Sequence, residues 1–249
     1  MTENRLTASD GATAQRTTGE LTPPPGTIAV WSDVTCPWAG LAVHRLHAAR
    51  SRMGLTGSVR LDHRAFPLEL INERPTPKRV LDGEVPVIGA HEPALGWQVW
   101  QRPDSEWPGT VLLALEAVQA AKAESVGGHA ASEELDLALR RAFFAESRPI
   151  GLYAEVVAVA RTCPSVVVER LEEALRRGEG RDRVLADWRE SGQDRVQGSP
   201  HLFLPDGSDA HNPGVTIRST GKPGQGFTTI VSDDPTVYDD LVGRAAATV

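Results

Sequence analysis

The chain has 249 residues, 40% of them apolar and 24% charged, with a formal net charge of −7. That length suits one large domain or a domain carrying an insertion, and the composition is that of a globular protein. The acidic balance, with no basic run interleaved with aromatics, excludes a general nucleic-acid binder, and no apolar stretch reaches the ~18 residues of a membrane span.

Residues 1–26 are rich in Thr, Ala, Gly and Pro, lack the apolar core of a signal peptide, and read as a disordered tail. Thr27-Ile28-Ala29-Val30-Trp31 is a short β-branched and apolar run, hence a strand. A helix begins at Pro37, because proline suits a first helical position, continues through the apolar stripe Leu41, Ala42, Leu46, Ala49 and Met53, and stops at Gly54. Ser58–Ala65 alternates as a second strand. From Phe66 to Pro108 the prolines at 67, 75, 77, 86, 93, 103 and 108 predict an irregular stretch without long elements.

Short helices follow over 110–123, 132–144 with Ser132 as N-cap, 151–161, 165–178 and 181–191, a compact all-α module. Strand character returns at His201–Leu204. Asp206-Gly207 is a hairpin turn, and His211–Ile217 is the expected returning strand. A glycine-rich loop (Gly221, Gly224, Gly226) leads to a strand at Phe227–Val231. A last helix, capped by Asp234 or Ser232, turns Val237, Tyr238, Leu241 and Val242 toward the sheet. The fold class is therefore α/β, with a mixed sheet built from 27–95 and 195–249 and a helical insertion at 96–194. A cleft is expected between the two parts, with Cys36 in it.

Cys36 stands where the first strand ends and the first helix begins, in Trp31-Ser32-Asp33-Val34-Thr35-Cys36-Pro37-Trp38-Ala39. As N-cap it faces the free N–H groups of Trp38 and Ala39. The thiolate is the reactive form, and an ordinary cysteine has a pKa of about 8.5. The helix dipole supplies roughly 0.3–1 kcal/mol, less than the ~1.36 kcal/mol that one pKa unit represents. Direct hydrogen bonds or a cation must therefore do the rest of any activation, and the alternative is a buried cysteine acting as a small hydrophobe. The two cysteines, Cys36 and Cys163, make neither a disulfide framework nor a zinc site, and they suit a reducing cytoplasm.

Asp33 reads as a loop-capping side chain or as a proton acceptor. His201 can supply a cation to the thiol or point away from it. Trp38, Trp97, Trp100 and Trp107 predict a groove for an apolar or planar substrate, and Arg64 and Arg102 are candidate carboxylate binders. His44 and His47 are a helical i, i+3 pair, but no third ligand accompanies them and no metal site is expected.

The chain resembles the DsbA family of thioredoxin-fold proteins, most closely its FrnE-like members. The resemblance rests on Ser32-Asp33-Val34 before Cys36-Pro37-Trp38, Phe66-Pro67-Leu68-Glu69 after the second strand, the helical insertion, and Gly198-Ser199-Pro200 before a strand. It implies a thioredoxin-like fold with Cys36 as nucleophile, Pro200 cis beside it, and the Ser199 backbone pairing with a peptide or thiol tripeptide. Pro37, Trp38 and Ala39 would complete the thiol-binding edge. The chain departs from the family at Ala39, where most members carry a resolving cysteine, so net oxidation of dithiols is not expected. Thiol–disulfide exchange through one cysteine is the leading expectation, with glutathione, mycothiol or a protein thiol as partner and no tightly bound cofactor. Thiol-dependent isomerase or transferase chemistry, as in the 2-hydroxychromene-2-carboxylate isomerase and kappa-class relatives, suits a single side chain at this position, and a non-catalytic binding module remains a third reading. A homodimer is left open.

Overall fold

The computed structural model describes residues 21–192, 195–222 and 225–248. β1 (Thr27–Ser32) is buried along its whole length because it is sandwiched between layers and paired on both edges. It runs parallel to β2 (Arg60–Ala65), with Thr27 opposite Arg60, and antiparallel to β3 (His201–Phe203), with Trp31 opposite His201. β4 (Asp209–His211) completes the sheet in the order β2-β1-β3-β4. A strand with both faces covered needs no alternation, which is why β1 reads as a continuous apolar run. β2 does alternate, burying Leu61, His63 and Ala65.

α1 (Pro37–Arg52) and the C-terminal α9 (Val237–Ala246) cover one face. Their core joins Ile28, Val30, Leu46, Leu61, Leu202, Tyr238 and Leu241. α4 (Leu112–Ala121), α5 (Gly128–Phe144), α6 (Tyr153–Ala160), α7 (Val168–Arg177) and α8 (Glu179–Ser191) form the helical part. Its core is continuous with Val34 and Ala65 of the strand ends. The two parts are therefore packed together through a shared core.

Five sequence expectations are corrected. Of the tail read as disordered, residues 1–20 lie outside the described residues, but Leu21 is buried against Trp31, Phe66 and Phe203. The proline-rich stretch contains the short α2 (Leu68–Ile71) and the full-length α3 (Lys78–His91), with Pro86 inside it. Proline removes one backbone donor and crowds the preceding turn. Pro86 is on the exposed side, while Leu81, Val85 and Ile88 bury the other, so packing outweighs the lost bond.

α5 starts at Gly128, four residues before the predicted cap. Ser132 lies inside it and donates its hydroxyl to Val118 O at 2.9 Å. The preceding Gly127 has φ 139°, and a Cβ there would sit 2.1 Å from Ser165 O, so glycine rather than a serine cap sets this start. The expected returning strand 211–217 is split. Only β4 pairs with β3, whereas β5 (Val215–Ser219) leaves the sheet to pair with β6 (Thr228–Asp233). Val215, Ile217 and Ile230 of this separate hairpin pack against the cluster that holds Cys36. Gly224 lies outside the described residues. α9 is preceded by Thr236, whose N–H and hydroxyl both donate to Asp234, while Ser232 belongs to β6.

Candidate active site

Cys36 is the N-cap of α1, with Pro37 at the first helical position. The loop that delivers it is a hydrogen-bonded turn. Asp33 Oδ1 accepts from the Thr35 N–H and hydroxyl at 2.7 Å each, Asp33 Oδ2 accepts from the Leu68 N–H at 2.9 Å, and the Cys36 N–H donates to Asp33 O at 3.2 Å. Asp33 is fully buried, which pushes its carboxyl pKa up against these bonds. It organises the turn, the capping role of the two read from sequence.

Arg140, which the sequence reading missed, secures the turn from behind. From α5 it donates to Asp33 O at 2.9 Å and Ser32 Oγ at 2.8 Å while paired with Asp136 at 2.7 Å. Nothing local in the sequence marks it, because an arginine four residues after an aspartate on a helix looks like an ordinary surface pair.

On the other side of the sulfur, the Ser199–Pro200 bond is cis. Ser199 Oγ accepts from the Asp33 N–H at 3.0 Å, and the Cys36 thiol donates to Ser199 O at 3.1 Å. The Gly198-Ser199-Pro200 segment thus meets the cysteine as the family resemblance implied. A Cβ at Gly198 would lie 2.7 Å from His211 Nε2, so any other residue here requires that exposed side chain to move aside.

The thiol is not activated in this arrangement. Cys36 is only 6% exposed and packs with Trp38, Ala39, Leu41 and Ile88. Burial pushes its pKa up to about 11, against the opposing bonds from Ser199 and the Ala39 N–H, and Glu84 and Asp33 raise it further. Desolvation therefore outweighs the helix N-terminus. The resting sulfur is a protonated donor.

Several predicted site residues lie elsewhere. His201 is buried and holds no bond to Cys36. Its Nδ1 accepts from the Gln197 N–H at 3.1 Å, its Nε2 meets Asp209 at 2.9 Å, and its ring packs on Phe203. Burial lowers its pKa, so it supplies no cation. Arg64 pairs with Asp62 at 2.8 Å and Asp187 at 3.2 Å at the edge of β2.

Of the tryptophans, Trp38 and Trp97 belong to the Cys36 cluster. Trp97 stacks on Phe144 at 4.3 Å and covers Gly40, where a Cβ would meet its ring at 2.6 Å. Trp100 and Trp107 instead pack edge-on at 5.1 Å with Phe143 in the helical core. Trp107 lines two small surface depressions, one of them shared with Trp100, and Cys36 lines neither. Arg102 pairs with Glu106.

Cys163 is free and buried in the helical core, its sulfur facing Val159 O at 3.6 Å, in a different cluster from Cys36. No group of three or more metal-ligating side chains occurs among the described residues. His47 contacts Arg50 at 2.7 Å.

Glu84 is a second site residue the sequence reading missed, because it sits in the stretch read as irregular. α3 brings it beside Trp38 and within electrostatic reach of Cys36. Trp38 Nε1–H is buried with no hydrogen-bond partner of good geometry, and the indole opposes the rise of the Glu84 pKa caused by burial.

A family model, the DSBA-like thioredoxin domain, matches residues 27–217, and the chain belongs to that family. Among solved structures it is similar to one described as a probable DsbA oxidoreductase from Streptomyces coelicolor, with TM-score 0.59, 19% identity and coverage of 90% of this chain and 91% of that one. It is also similar to a 2-hydroxychromene-2-carboxylate isomerase, with TM-score 0.53, 15% identity and coverage of 72% and 86%. The cytosolic disulfide reductase DsbM from Pseudomonas aeruginosa is a looser likeness, at TM-score 0.44, 17% identity and coverage of 89% and 95%. At these identities the likeness is one of fold. No curated protein matches the sequence. No helix among the described residues is long and apolar enough to cross a membrane.

Proposed function

We propose that the protein carries out thiol–disulfide exchange through Cys36 alone, with a low-molecular-weight thiol such as glutathione or mycothiol, or a protein thiol, as partner. The observation that supports this most is the Cys36 thiol at the N-cap of α1, donating to the Ser199 carbonyl at the edge of the cis-proline segment. In the exchange, the Cys36 sulfur attacks one sulfur of a disulfide R–S–S–R′. A bond to R–S forms, the R–S–S–R′ bond breaks, and R′–S⁻ leaves and takes up the proton that Cys36 gives up. A second thiol then attacks the mixed disulfide and restores Cys36.

Ala39 supplies no sulfur for internal release, so that second thiol comes from outside. A dithiol site would release the adduct at a far higher effective concentration. Two free cysteines, one of them buried in the helical core, suit a reducing compartment, and we infer the cytoplasm. The reading is tested by exposing the protein to oxidised glutathione and mycothiol disulfide and mapping adducts. A mixed disulfide on Cys36 supports it, and its absence overturns it.

A second reading is favoured by the apolar lining of the thiol, Trp38, Leu41, Ile88 and Trp97. These side chains suit a planar apolar substrate in thiol-dependent isomerase or transferase chemistry. Turnover of a small aromatic substrate that survives Cys36→Ser would favour this second reading.

A further inference from the structure

We propose that Glu84 is the proton acceptor and donor for Cys36, taking the thiol proton as the sulfur attacks a disulfide and returning it to the departing thiolate. The inference rests on the exchange reading above and adds to it the group that moves the proton.

The geometry comes from α3. Glu84 lies one helical turn before Ile88, so the two share a face. Ile88 is fully buried in the cluster of Cys36, Trp38, Ala39 and Leu41. Glu84 therefore faces the N-terminus of α1, and its charge acts on Cys36 from there. Asp33 is unavailable for this role, since its oxygens accept from Thr35 and Leu68. Glu84 is only partly buried, which leaves it a route to water that the sulfur lacks.

Among the described residues no basic side chain forms an ion pair with Glu84. From α1 the Trp38 indole faces it, and its charge acts on Cys36, as does that of Asp33 in the loop before α1. The β5–β6 hairpin presents Val215, Ile217 and Ile230 to the same cluster. On α3 itself Lys78 is paired with Asp82 and Asp104, and His91 faces Asp233. Burial accordingly raises the Glu84 pKa to about 7, with Trp38 opposing. An acid poised there accepts and returns a proton near neutral pH. A thiol held near pKa 11 needs such help, because very little of it is ionised at pH 7.

The alternative, that Glu84 merely repels the thiolate, predicts the opposite sign. The test compares the full chain with Glu84→Gln and Glu84→Asp, measuring formation of the Cys36 mixed disulfide from oxidised glutathione over pH 5–10 by peptide mass spectrometry. A proton acceptor predicts that Glu84→Gln slows the reaction about 10²-fold or more at pH 8 and abolishes the rate increase near pH 7, while Glu84→Asp restores part of both. A Glu84→Gln variant that reacts as fast as the parent, or faster, overturns the assignment, as does Glu84→Asp failing to recover any rate while both variants keep the parent's urea midpoint at pH 5. No adduct on Cys36 in the parent overturns the exchange reading itself, whereas an adduct forming at equal rate in Glu84→Gln overturns only the role of Glu84.

Discussion

The Cys36 thiol donates to the Ser199 carbonyl oxygen at 3.1 Å, and this one contact ties the start of α1 to the segment entering β3. The same serine accepts the Asp33 N–H through its hydroxyl. Cys36, Asp33 and Ser199 thus form one small unit, with residues 163 and 166 positions apart in the chain brought into contact. The sulfur is buried and protonated in that unit. The resting site is therefore closed, and exchange requires the thiol to leave the Ser199 carbonyl.

Stability should depend on pH through Glu84. Its pKa rises from 4.5 in the unfolded chain to about 7 in the fold. Between those values the native state keeps a proton the unfolded chain has lost, so stability falls as pH rises from about 4.5 to 7 and the penalty is fully present above that. Glu84→Gln should raise the urea midpoint at pH 8 and leave it nearly unchanged at pH 4.5. Equal midpoint changes at both pH values would contradict this.

Arg140 and Asp136 form a buried ion pair that also holds the active-site turn. Removing one partner of a buried pair costs about 3–5 kcal/mol, because the other charge is left unpaired. Arg140→Met should show a loss of that order in urea unfolding. The double variant Arg140→Met with Asp136→Leu should be less destabilised than Arg140→Met alone. A single variant within ~0.5 kcal/mol of the parent would place it among ordinary surface substitutions and contradict the role of Arg140 behind Asp33.

Ala39 is fully buried in the Cys36 cluster, on the first turn of α1. Ala39→Cys should convert a site that accumulates mixed disulfides into one that closes an internal disulfide, at a packing cost of about 1–3 kcal/mol. Thiol titration after treatment with oxidised glutathione, with adducts mapped, checks this. Persistence of the adduct on Cys36 in Ala39→Cys would show that the added sulfur cannot reach it.

The parts of the site legible in the sequence were those fixed by local chemistry. A β-branched run ending in Asp-x-x-Cys-Pro announces a strand, a turn and a helix start, and Gly198-Ser199-Pro200 carried the family's loop. Asp33 was legible as a cap for the same reason. What was not legible depends on tertiary packing. Pro86 argued against α3, and only the burial of Leu81, Val85 and Ile88 overrides it, so Glu84 was hidden with its helix. Trp100 and Trp107 looked like a substrate groove, because sequence does not say that Phe143 completes an aromatic block around them. His201 lies next to Pro200, yet strand geometry and Asp209 turn it to other partners.

The most direct test of the central claim is intact and peptide mass spectrometry of the protein after oxidised glutathione or mycothiol disulfide, before and after adding the reduced thiol. The account predicts a single adduct on Cys36 that persists until the external thiol is added and then leaves. An adduct on Cys163, no adduct on Cys36, or release without added thiol would contradict it.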